Sequence, residues 1–392
     1  MSLTRRRLFQ RLSPVQPSAH GEWIAARGRE AGMMEYGEQG MAKAMPIRIA
    51  SNENPLGPGQ HVLDAIVGKF PEAARYPFNA KQTEGALITA LAKHFSAKNE
   101  NVLLGPGSGE ILTHSVRAFT SASKPLVTAW PSFENPRDTA KKLGVPVKEV
   151  SLDGKLRIDI QKMVEASKGA GLVFFCNPNN PTATVHGKTA VADMVKAIRQ
   201  ASPDTMILID EAYHDYVTDP SYQSAVDIAL STPNVYVTRT FSKAYGMAGL
   251  RAGYAIGHAP TIKAIQAFKM PYGLGTLTLG GAITAFENQK HIEAERKRNT
   301  DVRAFTVKAF ADMGITGTDS QTNFLFMDIK RPAAGFRDAC RAAGVLVGRD
   351  FPPYEKTHCR ISIGTMAEMQ QAVEVFKKVL GGTTTTSSKD GQ

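Results

Sequence analysis

The sequence predicts an α/β protein in which a large domain, with a mostly parallel sheet buried between helices, is followed by a smaller α+β domain. Three observations carry that prediction. Short, nearly continuous apolar runs alternate with helix-length amphipathic segments, the pattern of strands covered on both faces. Several runs end on residues able to do chemistry, as open α/β sheets place their ligands beyond the carboxyl ends of the strands. After about Phe286 the alternation gives way to one long charged segment and shorter strands.

In chain order, residues 1–46 carry scattered Gly, Pro and Met and predict an irregular N-terminal arm. Residues 47–285 form the large domain. Within it Leu87, Ile88, Leu91, Ala92 and Phe95 fall at the spacing of one buried helix face. Strand-like runs follow at Val102-Leu103-Leu104, Leu126-Val127-Thr128, Leu172-Val173-Phe174-Phe175 and Met206-Ile207-Leu208-Ile209, then at Val235-Tyr236-Val237 and Tyr254-Ala255-Ile256. Five of these lead into Gly107-Ser108-Gly109, Phe133, Asn180, Asp210 and Lys243, which would therefore share one rim of the sheet. Residues 286–380 predict the smaller domain, joined by the arm. It has a long charged helix through Glu293, Glu295 and Arg303, and strands at Asn323–Met327 and Cys359–Ile363. Residues 381–392, rich in Thr and Ser, cannot bury apolar area and predict a disordered tail.

The bulk properties exclude several classes. A chain of 392 residues, 42% hydrophobic and 21% charged, can bury the cores of two domains. No apolar run approaches the ~20 residues that span a bilayer. The net charge of +11 is dispersed, apart from Arg5-Arg6-Arg7 and Arg296-Lys297-Arg298, and no nucleic-acid recognition motif accompanies it. It reads as solubility with a mild attraction for anions. Cys176, Cys340 and Cys359 show neither metal spacing nor a disulfide framework, and the nine histidines include no paired metal signature. Thr4-Arg5-Arg6-Arg7-Leu8-Phe9 is similar to the start of a twin-arginine export signal, but Gln10, Arg11, Ser13 and Pro14 interrupt the apolar stretch that should follow. The expected compartment is the cytoplasm, with export as the alternative.

One segment is more specific than the rest, Thr240-Phe241-Ser242-Lys243-Ala244-Tyr245-Gly246-Met247-Ala248-Gly249-Leu250-Arg251. Lys243 follows an apolar β-branched run, Ser242 lies beside it, and Arg251 is expected two helical turns further on. Serine and arginine both suit a phosphate. Upstream, Asp210 closes another apolar strand. A lysine that attacks an aldehyde must be positioned and partly desolvated. A lone lysine beside a serine would be an ordinary solvated side chain; the combination predicts a cofactor site.

At these residues the chain resembles the pyridoxal-phosphate-dependent aminotransferases of fold type I, and within them the histidinol-phosphate aminotransferases. The resemblance runs from about Ile49 to about Val379. It rests on Ala50-Ser51-Asn52-Glu53-Asn54-Pro55-Leu56-Gly57-Pro58, Arg75-Tyr76-Pro77, Asn177-Pro178-Asn179-Asn180-Pro181-Thr182, Asp210-Glu211-Ala212-Tyr213, the lysine segment, and Arg360-Ile361-Ser362-Ile363-Gly364-Thr365.

The resemblance implies roles residue by residue. Lys243 would hold pyridoxal 5'-phosphate as a Schiff base and then shuttle a proton. Asp210 would keep the ring nitrogen protonated, although alone it could be a helix N-cap. Asn180 and Tyr213 would donate to the ring's phenolate oxygen, and Phe133 would stack on the ring. Ser108 and Gly109 at a helix N-terminus, with Ser242 and Arg251, would hold the phosphate. Tyr76 would reach the cofactor of a neighbouring subunit, which implies a homodimer. Arg360 would clamp the substrate carboxylate with a bidentate fork. Arg349 would contact a substrate phosphate, and Asn54 would also line the substrate site.

Some positions depart from the histidinol-phosphate pattern. Val15, in Pro14-Val15-Gln16-Pro17-Ser18, stands where a tyrosine approaches the substrate phosphate, Ala183 replaces a glycine, and Phe351-Pro352-Pro353 adds apolar bulk. The amino donor is therefore histidinol phosphate or a related, aromatic amino acid, and the acceptor is a 2-oxo acid such as 2-oxoglutarate. A decarboxylase or oxidative deaminase would use the same lysine and aspartate. A cofactor-binding regulator would carry a helix-turn-helix domain, for which residues 1–46 show no pattern.

Overall fold

The computed structural model describes residues 45–77 and 83–381. The Thr4–Phe9 motif, Val15 and the expected tail after Gly381 lie outside the described residues. Eleven strands are present among those described. β1 (Ile47–Ile49), β2 (Val102–Gly105), β3 (Leu126–Trp130), β4 (Val147–Ser151), β5 (Leu172–Cys176) and β6 (Met206–Asp210) are followed by β7 (Val235–Thr240) and β8 (Gly253–Gly257). β9 (Phe324–Asp328), β10 (Val345–Val347) and β11 (His358–Ser362) complete the set.

The helices are α1 (Gln60–Gly68), α2 (Glu84–His94), α3 (Ser108–Phe119), α4 (Asn135–Lys142), α5 (Ile160–Ala166) and α6 (Lys188–Ala201). They continue as α7 (Val226–Ser231), α8 (Ala259–Gln266), α9 (Thr276–Glu287), α10 (Gln289–Asp312), α11 (Ala333–Ala342) and α12 (Met366–Gly381).

Seven strands form the central sheet in the order β2-β8-β7-β6-β5-β3-β4. β3 to β7 run parallel, whereas β8 is antiparallel to both of its neighbours, β2 and β7. β5, β6, β7 and β8 are buried along their whole length, which explains their uninterrupted apolar runs. Alternate residues go to opposite faces. Val173, Phe175, Ile207, Ile209 and Val237 join the core with α2 and α6, while Leu172, Phe174, Leu208 and Tyr236 join Ile111, Leu112 and Val116 of α3.

Local signals fix the helices. Thr83 caps α2 by accepting a hydrogen bond from the Ala86 amide at 3.1 Å. α6 buries Val191, Met194, Val195 and Ile198, the spacing of one helix face.

A third core surrounds the C-terminal strands. β11 pairs antiparallel with β9, and β1 adds to β10 in parallel. Phe310 of α10 stacks on Phe376 of α12 at 5.4 Å, and Ile49, Phe336 and Ile361 pack in the same cluster. α10 is less solvated than its charges suggest, because Glu295, Asn299 and Arg303 are buried. Glu295 accepts from the Tyr216 hydroxyl at 3.1 Å and from Arg298 Nε at 2.7 Å. Asn299 Nδ2 and Arg303 Nη1 both donate to the Thr322 carbonyl at 3.1 Å. These charges satisfy backbone and side-chain groups that would otherwise be orphaned inside the protein.

Candidate active site

The carboxyl ends of five strands converge on a cavity of about 580 Å³. β2 leads to Ser108 and Gly109, β3 to Phe133 and Glu134, β5 to Asn180, β6 to Asp210, and β7 to Ser242 and Lys243. β8 runs the opposite way, so it starts at this rim and brings Arg251 to it. The remaining wall comes from Ala50 to Glu53 and from Arg337, Arg341, Val347, Arg349 and Arg360.

Lys243 sits half-buried on the floor. Its Nζ donates to the Ser51 carbonyl at 3.3 Å and lies 5.7 Å from the Tyr213 ring centroid. Burial, reinforced by the Arg360 charge, lowers its pKa to about 8, so a useful fraction of neutral amine exists near neutrality. Asp210 is 2% exposed. Burial pushes its pKa up to about 7 against the opposing hydrogen bond from Thr238 Oγ1, which donates at 2.8 Å. Asp210 caps no helix. Among the described residues it forms no ion pair, and the Lys243 charge lowers its pKa by less than burial raises it.

An anion cradle lies at the other end of the floor. Arg251 Nη1 donates to Ser242 Oγ at 3.2 Å and to the Ala248 carbonyl at 2.9 Å, beside the N-terminus of α3. Gly107 makes the approach possible: its φ is +78°, and a Cβ there would come 2.3 Å from Arg251 Nη2. The two helical turns expected between Lys243 and Arg251 are not present. The chain instead makes a tight non-helical turn with a short 3₁₀ stretch at Ala248–Leu250 and ends with Arg251 in the left-handed region, φ 55°. Phe241 pairs with Ala252 across this turn through its amide, at 3.0 Å, and the return into β8 excludes an α-helix.

Arg360, from β11, closes the site. Its Nη1 donates to Asn180 Oδ1 and its Nη2 to the Ala50 carbonyl, both at 2.8 Å, while buried Nε has no partner. Burial lowers its pKa to about 10. Tyr213 accepts from Asn52 Nδ2 at 3.0 Å, and burial raises its hydroxyl pKa well above the usual range. Asn52 has φ 56° and also binds Ser362 Oγ through its Oδ1, so a strained residue next to β1 ties two cores to the floor.

Asn54 and Tyr76 lie outside this cavity, Tyr76 being the residue expected at a neighbouring subunit's cofactor. Asn54 does not line the cavity: its Nδ2 donates to the Ala244 carbonyl at 3.0 Å and its Oδ1 accepts from the Leu56 amide, leaving Asn52 on the wall instead. Tyr76 is 68% exposed and packs on Tyr272 at 5.2 Å, away from the cavity lining. Arg349 lines the cavity but is engaged by Glu134. Sequence reasoning missed Asn52, Cys176, Glu134, Arg337 and Arg341. The first lay inside a quoted motif, and the rest had no pattern of their own. The three cysteines are fully buried thiols, and no group of metal ligands occurs among the described residues. Nor is any described helix long and apolar enough to cross a membrane.

A buried acid without an ion pair, a cradle for an anion and an amine of lowered pKa all open onto one cavity. That set fits a phosphorylated heteroaromatic aldehyde whose ring nitrogen is protonated. Comparison with known proteins agrees. A family model for aminotransferase class I and II matches residues 44–376. The histidinol-phosphate aminotransferase of Bacillus velezensis is 30% identical over 375 residues, covering 95% of this chain and 98% of that protein. That of Symbiobacterium thermophilum is 32% identical over 377 residues, covering 96% and 98%. The crystal structure of histidinol-phosphate aminotransferase from Sinorhizobium meliloti, in complex with pyridoxal-5'-phosphate, matches with a TM-score of 0.80 at 25% identity, covering 97% of this chain and 98% of that one. Amino transfer thus stands over the decarboxylase, deaminase and regulator readings. The chain belongs to the class I and II aminotransferases, pyridoxal-phosphate-dependent enzymes of fold type I.

Proposed function

We propose that this aminotransferase takes the amino group of histidinol phosphate and passes it to 2-oxoglutarate, with Lys243 as its catalytic residue. The observation that carries the reading is the pairing, in one cavity, of a buried guanidinium with an unsatisfied Nε, Arg360, and a second guanidinium on the outer wall, Arg349. A phosphorylated donor and a dicarboxylic acceptor both need such cations. The names of the relatives above, matched over nearly their full length, support the same donor.

Pyridoxal phosphate, when bound, supplies the electron sink for the bond broken at the substrate carbon. The chain's part is to position and to move protons. Asp210 provides the negative charge that keeps a ring nitrogen protonated, and that cation in turn draws the carboxyl back to its ionised form. Ser108, Gly109, Ser242 and Arg251 would hold the phosphate, Phe133 would cover the ring, and Asn180 and Tyr213 would serve its oxygen substituent. With the cofactor bound, the Lys243 amine, its pKa lowered to about 8, would take the proton from the substrate Cα as general base and give it back as general acid. Arg360 orients the substrate's acid group.

The proposal includes a homodimer in which Tyr76 reaches a partner's cofactor. Exposed apolar side chains support it: Leu56, Phe70, Tyr76, Phe268, Met270 and Tyr272 are all at least 41% exposed, and Tyr76 packs on Tyr272. It also includes a cytoplasmic location, supported by three unpaired buried thiols. The Phe351 ring lies 4.4 Å from the Arg349 guanidinium and 4.6 Å from that of Arg360, buried behind both cations and outside the cavity lining.

The deciding experiment measures glutamate formed from 2-oxoglutarate with histidinol phosphate, histidine, phenylalanine or tyrosine as donor. Histidinol phosphate should give the highest kcat/KM. A higher value for phenylalanine would shift the assignment to the aromatic donor.

A further inference from the structure

One acid in the cavity, Glu134, has no part in the chemistry above. Glu134 follows Phe133 beyond β3, and its carboxylate accepts from Arg349 Nη2, which follows β10. Both side chains line the cavity that contains Lys243 and Arg360. They are near enough to Arg360 for the Arg349 charge to lower its pKa and the Glu134 charge to raise it. Arg349 is 54% and Glu134 32% exposed, so the pair is solvated and of modest strength. Arg337 is held in a similar way by Asp350, whereas Arg341 has no acidic partner among the described residues.

We infer that Glu134 is a specificity-determining residue: it competes with substrate for Arg349 and so makes that arginine a weaker partner for a side-chain carboxylate, the acceptor's included, than for a phosphate. The inference rests on the amino-transfer reading but not on the identity of the donor. A substrate carboxylate that takes Arg349 from Glu134 replaces one carboxylate by another. The new ion pair resembles the old one, and the displaced Glu134 stays beside a second negative charge, so little is gained over a neutral side chain. A phosphate carries nearly two charges and three acceptor oxygens and wins the same exchange. Glu134 thus biases a general anion site toward phosphate. It acts through Arg349 rather than by touching the reacting atoms.

The test uses the holoenzyme and two ligands of nearly equal shape, L-glutamate and L-glutamine, with dissociation constants read from the cofactor's absorbance. Glu134→Gln should shift the glutamate-over-glutamine preference toward glutamate by about two- to fivefold. The shift should shrink at high salt. In an Arg349→Ala background the same substitution should leave the preference where it was. Equal tightening or loosening of both ligands in Glu134→Gln would overturn the inference. A preference shift that survives without Arg349 would also overturn it, because direct repulsion would then explain the result. Neither outcome depends on whether histidinol phosphate is a donor.

Discussion

The floor and the outer wall of the cavity are built on different physics. The floor stands at the carboxyl ends of buried parallel strands, and its groups are fixed by hydrogen bonds: Asp210 by Thr238, Tyr213 by Asn52, Asn180 by Arg360. The outer wall carries Arg337, Arg341 and Arg349, the first and last of them partly solvated and matched with acids that can be exchanged. Desolvation decides the electrostatics of the floor, where burial lowers the pKa of Lys243 to about 8 and raises that of Asp210 to about 7. Ion exchange decides those of the wall. Reaction type therefore belongs to the floor and substrate choice to the wall.

The sharpest way to break that division is at Lys243. Lys243→Ala should lower kcat by about 10²–10⁴-fold for every amino donor alike, because the proton-transfer group is removed. A loss confined to one donor would move Lys243 to the substrate side of the comparison. Arg360 sits where the two regions meet. Arg360→Ala removes a buried charged hydrogen-bond donor and should raise the KM for 2-oxoglutarate by about thirtyfold or more, with Arg360→Lys recovering little since an ammonium lacks the planar fork. Full recovery by lysine would show that charge alone matters there.

Asp210 tests the desolvation account without substrate. Its pKa in the cofactor-free protein is raised to about 7, above the ordinary carboxylate range, so the native state binds the proton more tightly than the unfolded chain. Its stabilising contribution is complete below the unfolded pKa and disappears as pH rises toward 7. Asp210→Asn, free of that titration, should be more stable than wild type by roughly 2–4 kcal/mol at pH 8, with the advantage vanishing near pH 4. Denaturant unfolding of both proteins at several pH values measures it, and a pH-independent difference would refute the buried-acid explanation. The smallest effect is expected at Ala183, which occupies φ 62°, where glycine would be unstrained. Relief of that strain is offset by lost chain entropy and a lost buried methyl, so Ala183→Gly should change stability by less than about 1 kcal/mol. A loss above about 2 kcal/mol would mean that the methyl is needed for packing.

The sequence pattern and the structure agree where burial is complete. β5, β6 and β7 have no exposed residue, so their composition records their environment directly, and the chemistry-bearing residues that follow them were legible by position. β4 was not. As an edge strand it exposes Lys148 and Glu149, and an alternating charged stretch of five residues does not stand out from a loop. The reversal of β8 was equally hidden, because parallel and antiparallel central strands are buried alike. On the wall, Glu134 and Arg341 belong to no periodic pattern, and only folding brings residues more than 200 positions apart into one ion pair. Asn54 shows the reverse problem: inside a strong motif, two asparagines two residues apart point to different work, and only the left-handed backbone at Asn52 distinguishes them.

The reversed strand carries one more consequence. Because the polypeptide leaves the sheet at Thr240 and re-enters at Gly253 on the same edge, a single short excursion bears both the nucleophilic amine and the anchor for the anion. The spacing between the two is therefore set like the jaws of a fixed-gauge tool, and a one-residue insertion between 244 and 250 should disable both grips at once while leaving every strand intact.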